Sequence, residues 1–551
     1  MKTLRSPFPS FRNQMAQVAL SMVLVIFLSG CGTPSLPRVA VAQPLASAAS
    51  AASLSDEKLA GYLVAAEAAG VVAAGVATEQ ALLALQARVN LHDWNKPLRI
   101  QGAGRAWVLS FDTQALEDQG KREWSPAVFD RLFTAASIKT EGYTRRHAGA
   151  GTGAPVVLAF EDVARLRQER GFRPGNALFV PGTAVLEFGA AAPTGGATPV
   201  RLRIFNTSEE RSFPVAGSGR LDLAWDLTSA VECNMDSPYL RHNGLAGLLR
   251  PEARANDIGL FGMSTYDRNK IPVVLIHGLN SDPHIWKNAV NEILGTPELN
   301  ARYIPLLFMY PTGMPVPGAA ARLRESLRTY RAKWDADAND PGMNNMVLVG
   351  HSMGGLLARL QVIDSGDDLW KAFFARPVEE VPWVSKDDRK RMGESLQFDA
   401  QPFVKRVVFV AVPHRGSQVA DFRLVQWAMA RLIHLPSQVV DYTNRALTDT
   451  SMLNPALLKY NSLGLRSVDM LSPGHPYFAA IDKRPIRVPY HSILGDRGRG
   501  DGQAGSDGIV PFWSSYLPGA VSTRIVPFGH SCTAEPETVD EITRILRAHA
   551  N

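Results

Sequence analysis

From residue 270 to the C-terminus, short apolar runs alternate with longer stretches of helical period. The runs are Pro272–Ile276, Leu306–Met309, Met346–Val349, Val407–Ala411, His491–Leu494 and Arg524–Val526. They are rich in Val, Ile and Leu without strict polar alternation, the character of strands buried on both faces. This half therefore predicts a mostly parallel sheet flanked by helices, an α/β architecture. Helices are expected over Leu356–Ile363 and from near Pro536.

The upstream pattern is different in kind. Ser55-Asp56-Glu57 offers a helix cap, and Leu59 to Val89 is Ala-rich helix interrupted at Gly70 and Gly75, so residues 56–92 form a helical segment. From residue 97 to 255 the chain carries β-like runs at Ala106–Leu109, Pro155–Phe160, Ala184–Phe188 and Val200–Ile204, separated by turns rich in Gly, Pro and Thr. A β-rich N-terminal module is expected there. No chemistry stands out in it, and His147 and Cys233 are expected to be structural or surface residues. No internal repeat is evident.

Residues 1–30 read as an address. Lys2, Arg5 and Arg12 make a basic start, and Val18–Leu28 is an apolar run too short to span a bilayer comfortably. It ends in Leu28-Ser29-Gly30-Cys31, which resembles the bacterial lipobox. That resemblance implies lipidation of Cys31 and a membrane-tethered mature chain. Gly32, rather than Asp, after Cys31 favours the outer membrane of a bacterial envelope over the inner. Residues 31–55, rich in Ala, Ser and Pro, read as a tether.

Composition narrows the function classes. Lys and Arg number 58 against 52 Asp and Glu, a net charge of +6 over 551 residues. That is too dilute for nucleic-acid binding, which concentrates charge on one face. Three cysteines supply neither a disulfide framework nor a Cys-rich metal site.

The chemistry is concentrated in Val349-Gly350-His351-Ser352-Met353-Gly354-Gly355, a G-x-S-x-G motif with a buried strand before it and a helix after it. A serine at such a junction sits on a sharp turn that lifts Oγ clear of the backbone, and side chains at Gly350 and Gly354 would collide across the turn. Upstream, the strand Pro272–Ile276 runs into His277-Gly278-Leu279. On these motifs, residues 266–551 resemble the α/β-hydrolase superfamily, close to bacterial serine lipases and esterases. The resemblance implies oxyanion donors at the backbone N–H groups of Leu279 and Met353, and a structural role for His277.

A nucleophilic serine needs a base and an orienting carboxylate, in the chain order Ser, acid, His. His530 follows the last strand and precedes the C-terminal helix, where the resemblance places the base; His414, after another strand, is the alternative. Asp507, in Ser506-Asp507-Gly508-Ile509-Val510-Pro511, resembles the acid segment of related hydrolases, with Asp496 and Asp501 as alternatives. The expected triad is Ser352, Asp507 and His530.

Residues 415–488 far exceed an ordinary connection and are expected to insert a cap, or a helix packed permanently on the core, with an apolar helix over Val419–Leu435 and another apolar helical stretch over Leu453–Leu463. An apolar cap points to an ester or lipid substrate with an apolar acyl group. No metal or cofactor is implied. Cys233 and Cys532 are left either as a disulfide or as two buried thiols. The expected activity is that of a serine carboxylesterase or lipase acting through an acyl-enzyme. Amide or peptide hydrolysis, acyl transfer with the same triad, and a non-catalytic envelope-binding lipoprotein remain as alternatives. The sequence names no protein partner for the N-terminal module.

Overall fold

A computed structural model describes residues 56–550 with interruptions, the longest at 113–128, 161–168, 241–247, 249–256 and 418–449. The signal-like segment, Cys31, Asp501 and the apolar stretch Val419–Leu435 lie outside the described residues.

The chain enters through two helices, α1 (Asp56–Ala73) and α2 (Gly75–Leu91), with Gly70 in a left-handed conformation near the end of the first. Six strands follow: β1 (Leu98–Gly102), β2 (Arg105–Asp112), β3 (Arg131–Thr134), β4 (Ala154–Phe160), β5 (Leu178–Phe188) and β6 (Ala197–Asn206). They form one sheet in the order β1-β2-β6-β5-β4-β3, parallel only between β2 and β6. The two helices are part of this unit. Leu59, Leu63, Leu82 and Leu85 share a core with Trp107, Leu109, Val156, Leu158 and Leu202 from the sheet. A short helix, α3 (Leu227–Met235), is capped by Asp226, whose carboxylate accepts from Ser229 N.

The second sheet carries β7 (Gly259–Gly262) and β8 (Ile271–Ile276), then, after helix α4 (Lys287–Gly295), β9 (Tyr303–Met309). Helix α5 (Val316–Trp334), β10 (Met346–His351), α6 (Met353–Arg359), β11 (Val404–Val410), β12 (Tyr490–Gly495), β13 (Ser522–Val526) and α7 (Pro536–Ala550) complete it. The strand order is β7-β9-β8-β10-β11-β12-β13, antiparallel at the β7 edge and parallel elsewhere.

The apolar runs are explained by burial on both sides. Val274, Ile276 and Leu348 point into one core with Leu323, Leu327 and Leu356. Val273, Leu275, Val347 and Val349 point into the other, with Ile293, Ile542 and Leu546. Side chains alternate across a strand, so a two-faced sheet demands apolar residues at every position. The helices are one-faced instead. Val316, Ala319, Ala320, Leu323 and Leu327 recur at helical spacing on the buried stripe of α5.

One expectation needs correction. The described part of Leu453–Leu463 is not an apolar α-helix: Thr450–Met452 and Pro455–Leu457 are short 3₁₀ turns. Asn454 accepts from Ala456 N and Pro455 starts a new turn, which breaks a continuous α ladder. Of the two alternatives for the cysteines, the structure has the pair of buried thiols. Cys233 and Cys532 are free, buried thiols, one against Phe133 and Val157, the other against the core beneath α7. Among the described residues, no helix is long and apolar enough to cross a membrane.

Candidate active site

Strand β10 delivers Ser352 to the C-terminal edge of the parallel sheet, one residue before α6 begins. Ser352 adopts φ 52°, ψ −125°, a conformation L side chains rarely take, and its N–H donates to Val410 O at 2.9 Å. The turn is tight. A Cβ on Gly350 would lie 2.5 Å from Gly355 Cα, and one on Gly354 would strike the His277 carbonyl oxygen. Both glycines are therefore required by close backbone approach. The loop after β8 passes as close: a Cβ on Gly278 would stand 2.9 Å from Ser352 Cβ.

The structure brings Ser352, His530 and Asp507 together from three separate strand ends. Ser352 Oγ lies 2.9 Å from His530 Nε2, and His530 Nδ1 lies 2.7 Å from Asp507 Oδ2. The other oxygen, Asp507 Oδ1, accepts from Ile509 N at 2.8 Å and Val510 N at 2.6 Å. The carboxylate is thus held by its own turn before it meets the imidazole. Exposure is 6% for Ser352, 4% for His530 and 2% for Asp507, so these hydrogen bonds are shielded from water.

Leu279 lies in the loop after β8, next to Gly278, and Met353 follows Ser352 at the start of α6. As the first residue of α6, Met353 presents a backbone N–H that has no carbonyl one turn earlier in the helix.

The other histidines have different occupations. His277 stacks on Tyr310 with ring centroids 4.5 Å apart, and Tyr310 Oη donates to the His277 carbonyl at 2.9 Å. Burial pushes the His277 imidazole down to about 4, so it stays neutral. His414, the rival base, is fully buried with its ring edge-on to Phe409, and its backbone N–H donates to Ser514 O. Burial drives its basicity well below the ordinary histidine value. Asp496 places its N–H on Val526 O, while His530 Nδ1 is taken by Asp507.

One residue of the motif does more than the sequence indicates. His351 Nε2 donates to the His530 carbonyl at 2.8 Å, tying the strand that ends at Ser352 to the loop that carries His530. The signal was parity. His351 shares a strand face with Val347 and Val349, the face that packs toward α7 and Cys532. Burial, and next the nearby His530, push His351 down to about 3, so it donates as a neutral ring.

Among the described residues, no group of three or more His, Cys, Asp or Glu side chains is arranged to hold a metal ion. The arrangement can activate a hydroxyl, receive its proton and hold a negative oxygen nearby.

No family model matches the chain, and no curated protein matches it. Among solved structures, the mature form of the lipase BlEst2 of Bacillus licheniformis aligns over 52% of this chain and 97% of its own, with 17% identity and a TM-score of 0.32. Lipase 1 of Pelosinus fermentans aligns over 51% and 99%, with 14% identity and a TM-score of 0.31. The metagenomic carboxyl esterase MGS0156 aligns over 51% and 77%, with 15% identity and a TM-score of 0.27.

Proposed function

We propose that this chain is a serine ester hydrolase of the α/β-hydrolase superfamily that works through Ser352, His530 and Asp507. The observation that carries the reading is the continuous buried series Ser352 Oγ, His530 Nε2, His530 Nδ1, Asp507 Oδ2, with spacings of 2.9 and 2.7 Å. Ser352 Oγ attacks the ester carbonyl carbon as its proton passes to His530 Nε2. The carbonyl oxygen becomes an oxyanion facing the N–H groups of Leu279 and Met353. Collapse breaks the bond to the alkoxy group, which leaves as the alcohol with the proton from His530. Water then attacks the acyl-enzyme by the same route in reverse and releases the acid. Asp507 stays ionised throughout and holds the imidazole in the tautomer that accepts from Ser352.

The superfamily reading is supported by the parallel sheet order, the turn at Ser352 and the Ser, Asp, His order along the chain. An apolar acyl group is the substrate proposed, on the apolar pattern of residues 419–435. Envelope tethering at Cys31, in the outer membrane, is proposed on the lipobox-like Leu28-Ser29-Gly30-Cys31. Hydrolysis of p-nitrophenyl esters of graded acyl length, beside the matching anilides, tests the chemistry. Preference for the anilides makes the chain an amidase. Absence of any turnover, with no labelling of Ser352 by a fluorophosphonate, makes it a binding lipoprotein. For the anchor, Cys31→Ala should move the protein from the membrane fraction to the soluble one; continued sedimentation would refute lipid tethering.

A further inference from the structure

Helix α4 lies between the oxyanion loop and β9, and it is polar on a face that solvent does not reach. Lys287, Asn288, Asn291 and Glu292 are all buried, whereas Ala289, Val290 and Ile293 fill the core on the opposite side. What covers the polar face is residues 141–147 of the N-terminal module. Lys287 Nζ donates to Glu141 O at 2.7 Å, and its ammonium stands 4.5 Å over the Tyr143 ring. Asn291 Nδ2 donates to Arg145 O at 2.9 Å. Glu292 accepts from Arg145 Nη1 at 3.2 Å and meets His147 Nε2 at 3.1 Å. Gly295 closes the face, because a Cβ there would run into the His147 ring.

Asn288 does something its neighbours do not. Its Oδ1 accepts from Thr144 N at 2.9 Å, and its Nδ2 points to Gly142 O and to Ala534 O, each at 3.3 Å. Ala534 ends the short turn Cys532–Ala534, which begins two residues after His530. One amide therefore touches both the N-terminal module and the segment that carries the base. We propose that Asn288 is a positioning residue through which residues 141–147 brace the turn behind His530, so that the N-terminal module is a working part of the catalytic unit.

The consequence is kinetic as well as structural. A base displaced by even a fraction of an ångström from Ser352 loses rate without losing substrate affinity.

The test compares two asparagines one helical turn apart in the full chain. Asn291 also grips the module, through Arg145 O and Thr228 Oγ1, but has no bond to the base's turn. Asn288→Ala should lower kcat about tenfold, with KM within about twofold. Asn291→Ala should lower Tm comparably yet keep kcat within about twofold. Asn288→Asp keeps the acceptor for Thr144 and loses both donations, which provides a second variant if the alanine form folds poorly. Amide hydrogen exchange over residues 528–534 gives a readout independent of turnover. It should quicken in both Asn288 variants and stay at the wild-type rate in Asn291→Ala. Equal kcat and equal exchange in the two alanine variants would overturn the brace. The kinetic arm rests on the serine-hydrolase reading; a wild-type chain that neither turns over esters nor labels at Ser352 sinks that reading, while the exchange measurement still decides the brace.

Discussion

His351 Nε2 donates to the carbonyl oxygen of His530 at 2.8 Å, so the residue before Ser352 holds the backbone of His530. The spacing between Ser352 Oγ and His530 Nε2 is therefore governed from both ends of the same strand tip. His351→Leu should remove the donor and leave the His530 carbonyl buried without it, lowering kcat about tenfold or more with little change in KM. His351→Gln, whose amide can supply a donor, should recover a large part of the loss. Steady-state kinetics on a short-chain ester checks both, and equal activity of the leucine variant and wild type would remove His351 from the positioning set.

Loss of the triad residues should follow a defined order. Ser352→Ala removes the nucleophile and should reduce kcat by several orders of magnitude, leaving roughly 10³-fold over water from the oxyanion donors and binding. His530→Ala should match it, because the two act as a unit. Asp507→Asn should cost less than either, since Ile509 and Val510 N–H groups still hold Oδ1. His414→Ala and Asp496→Asn should retain turnover. The measurement is kcat/KM for all five, with circular dichroism to confirm folding.

Gly354→Ala should damage the fold as well as the activity. The added methyl meets the His277 carbonyl, backbone that cannot swing away as a side chain would. Overpacking of this kind destabilises by about 1–3 kcal/mol, read as a lowered urea midpoint. Gly318→Ala, where a Cβ meets nothing within 4 Å, is the matched control and should be neutral.

The contact of Glu292 with His147 predicts an acid-dependent stability. The hydrogen bond from His147 holds the Glu292 carboxyl below its ordinary value of 4.5. A carboxyl depressed on folding contributes stability that is fully present above 4.5 and is lost as pH falls through the folded value. Glu292→Gln should thus lower stability by about 1–3 kcal/mol at neutral pH, a loss typical of a charge-assisted hydrogen bond. The gap to wild type should persist down to about pH 4.5 and then close. Thermal melts across that range decide it; a gap that stays constant at low pH contradicts the pairing.

Cys233 and Cys532 should both titrate with a thiol reagent in denaturant without reductant, and both should resist it in the folded protein. Burial pushes each thiol above its ordinary value, Cys532 to about 12, which leaves almost no thiolate near neutrality. Absence of reactive Cys233 and Cys532 in denaturant would reveal a bond between them.

The sequence by itself determined the local and the periodic. Apolar runs such as Pro272–Ile276 and Met346–Val349 announced strands because burial on two faces leaves no position for a polar side chain. Gly350 and Gly354 marked the turn at Ser352 because only a missing Cβ lets strand and helix backbones meet so closely. The cap at Ser55-Asp56-Glu57 and an Ala-rich composition marked α1 and α2, and the C-terminal helix was expected from near Pro536. The tertiary structure alone decided which groups meet across long stretches of chain. It set His530, which the resemblance had singled out over His414, within reach of Ser352, because the loop after β13 reaches the tip of β10 while His414 turns under Phe409. It made Asn288, Asn291 and Glu292, polar side chains for which the sequence offered no partner, into a buried joint with residues 141–147. A periodic pattern records how polar a face is. Whether water or another part of the chain satisfies that polarity depends on what the fold brings next to it.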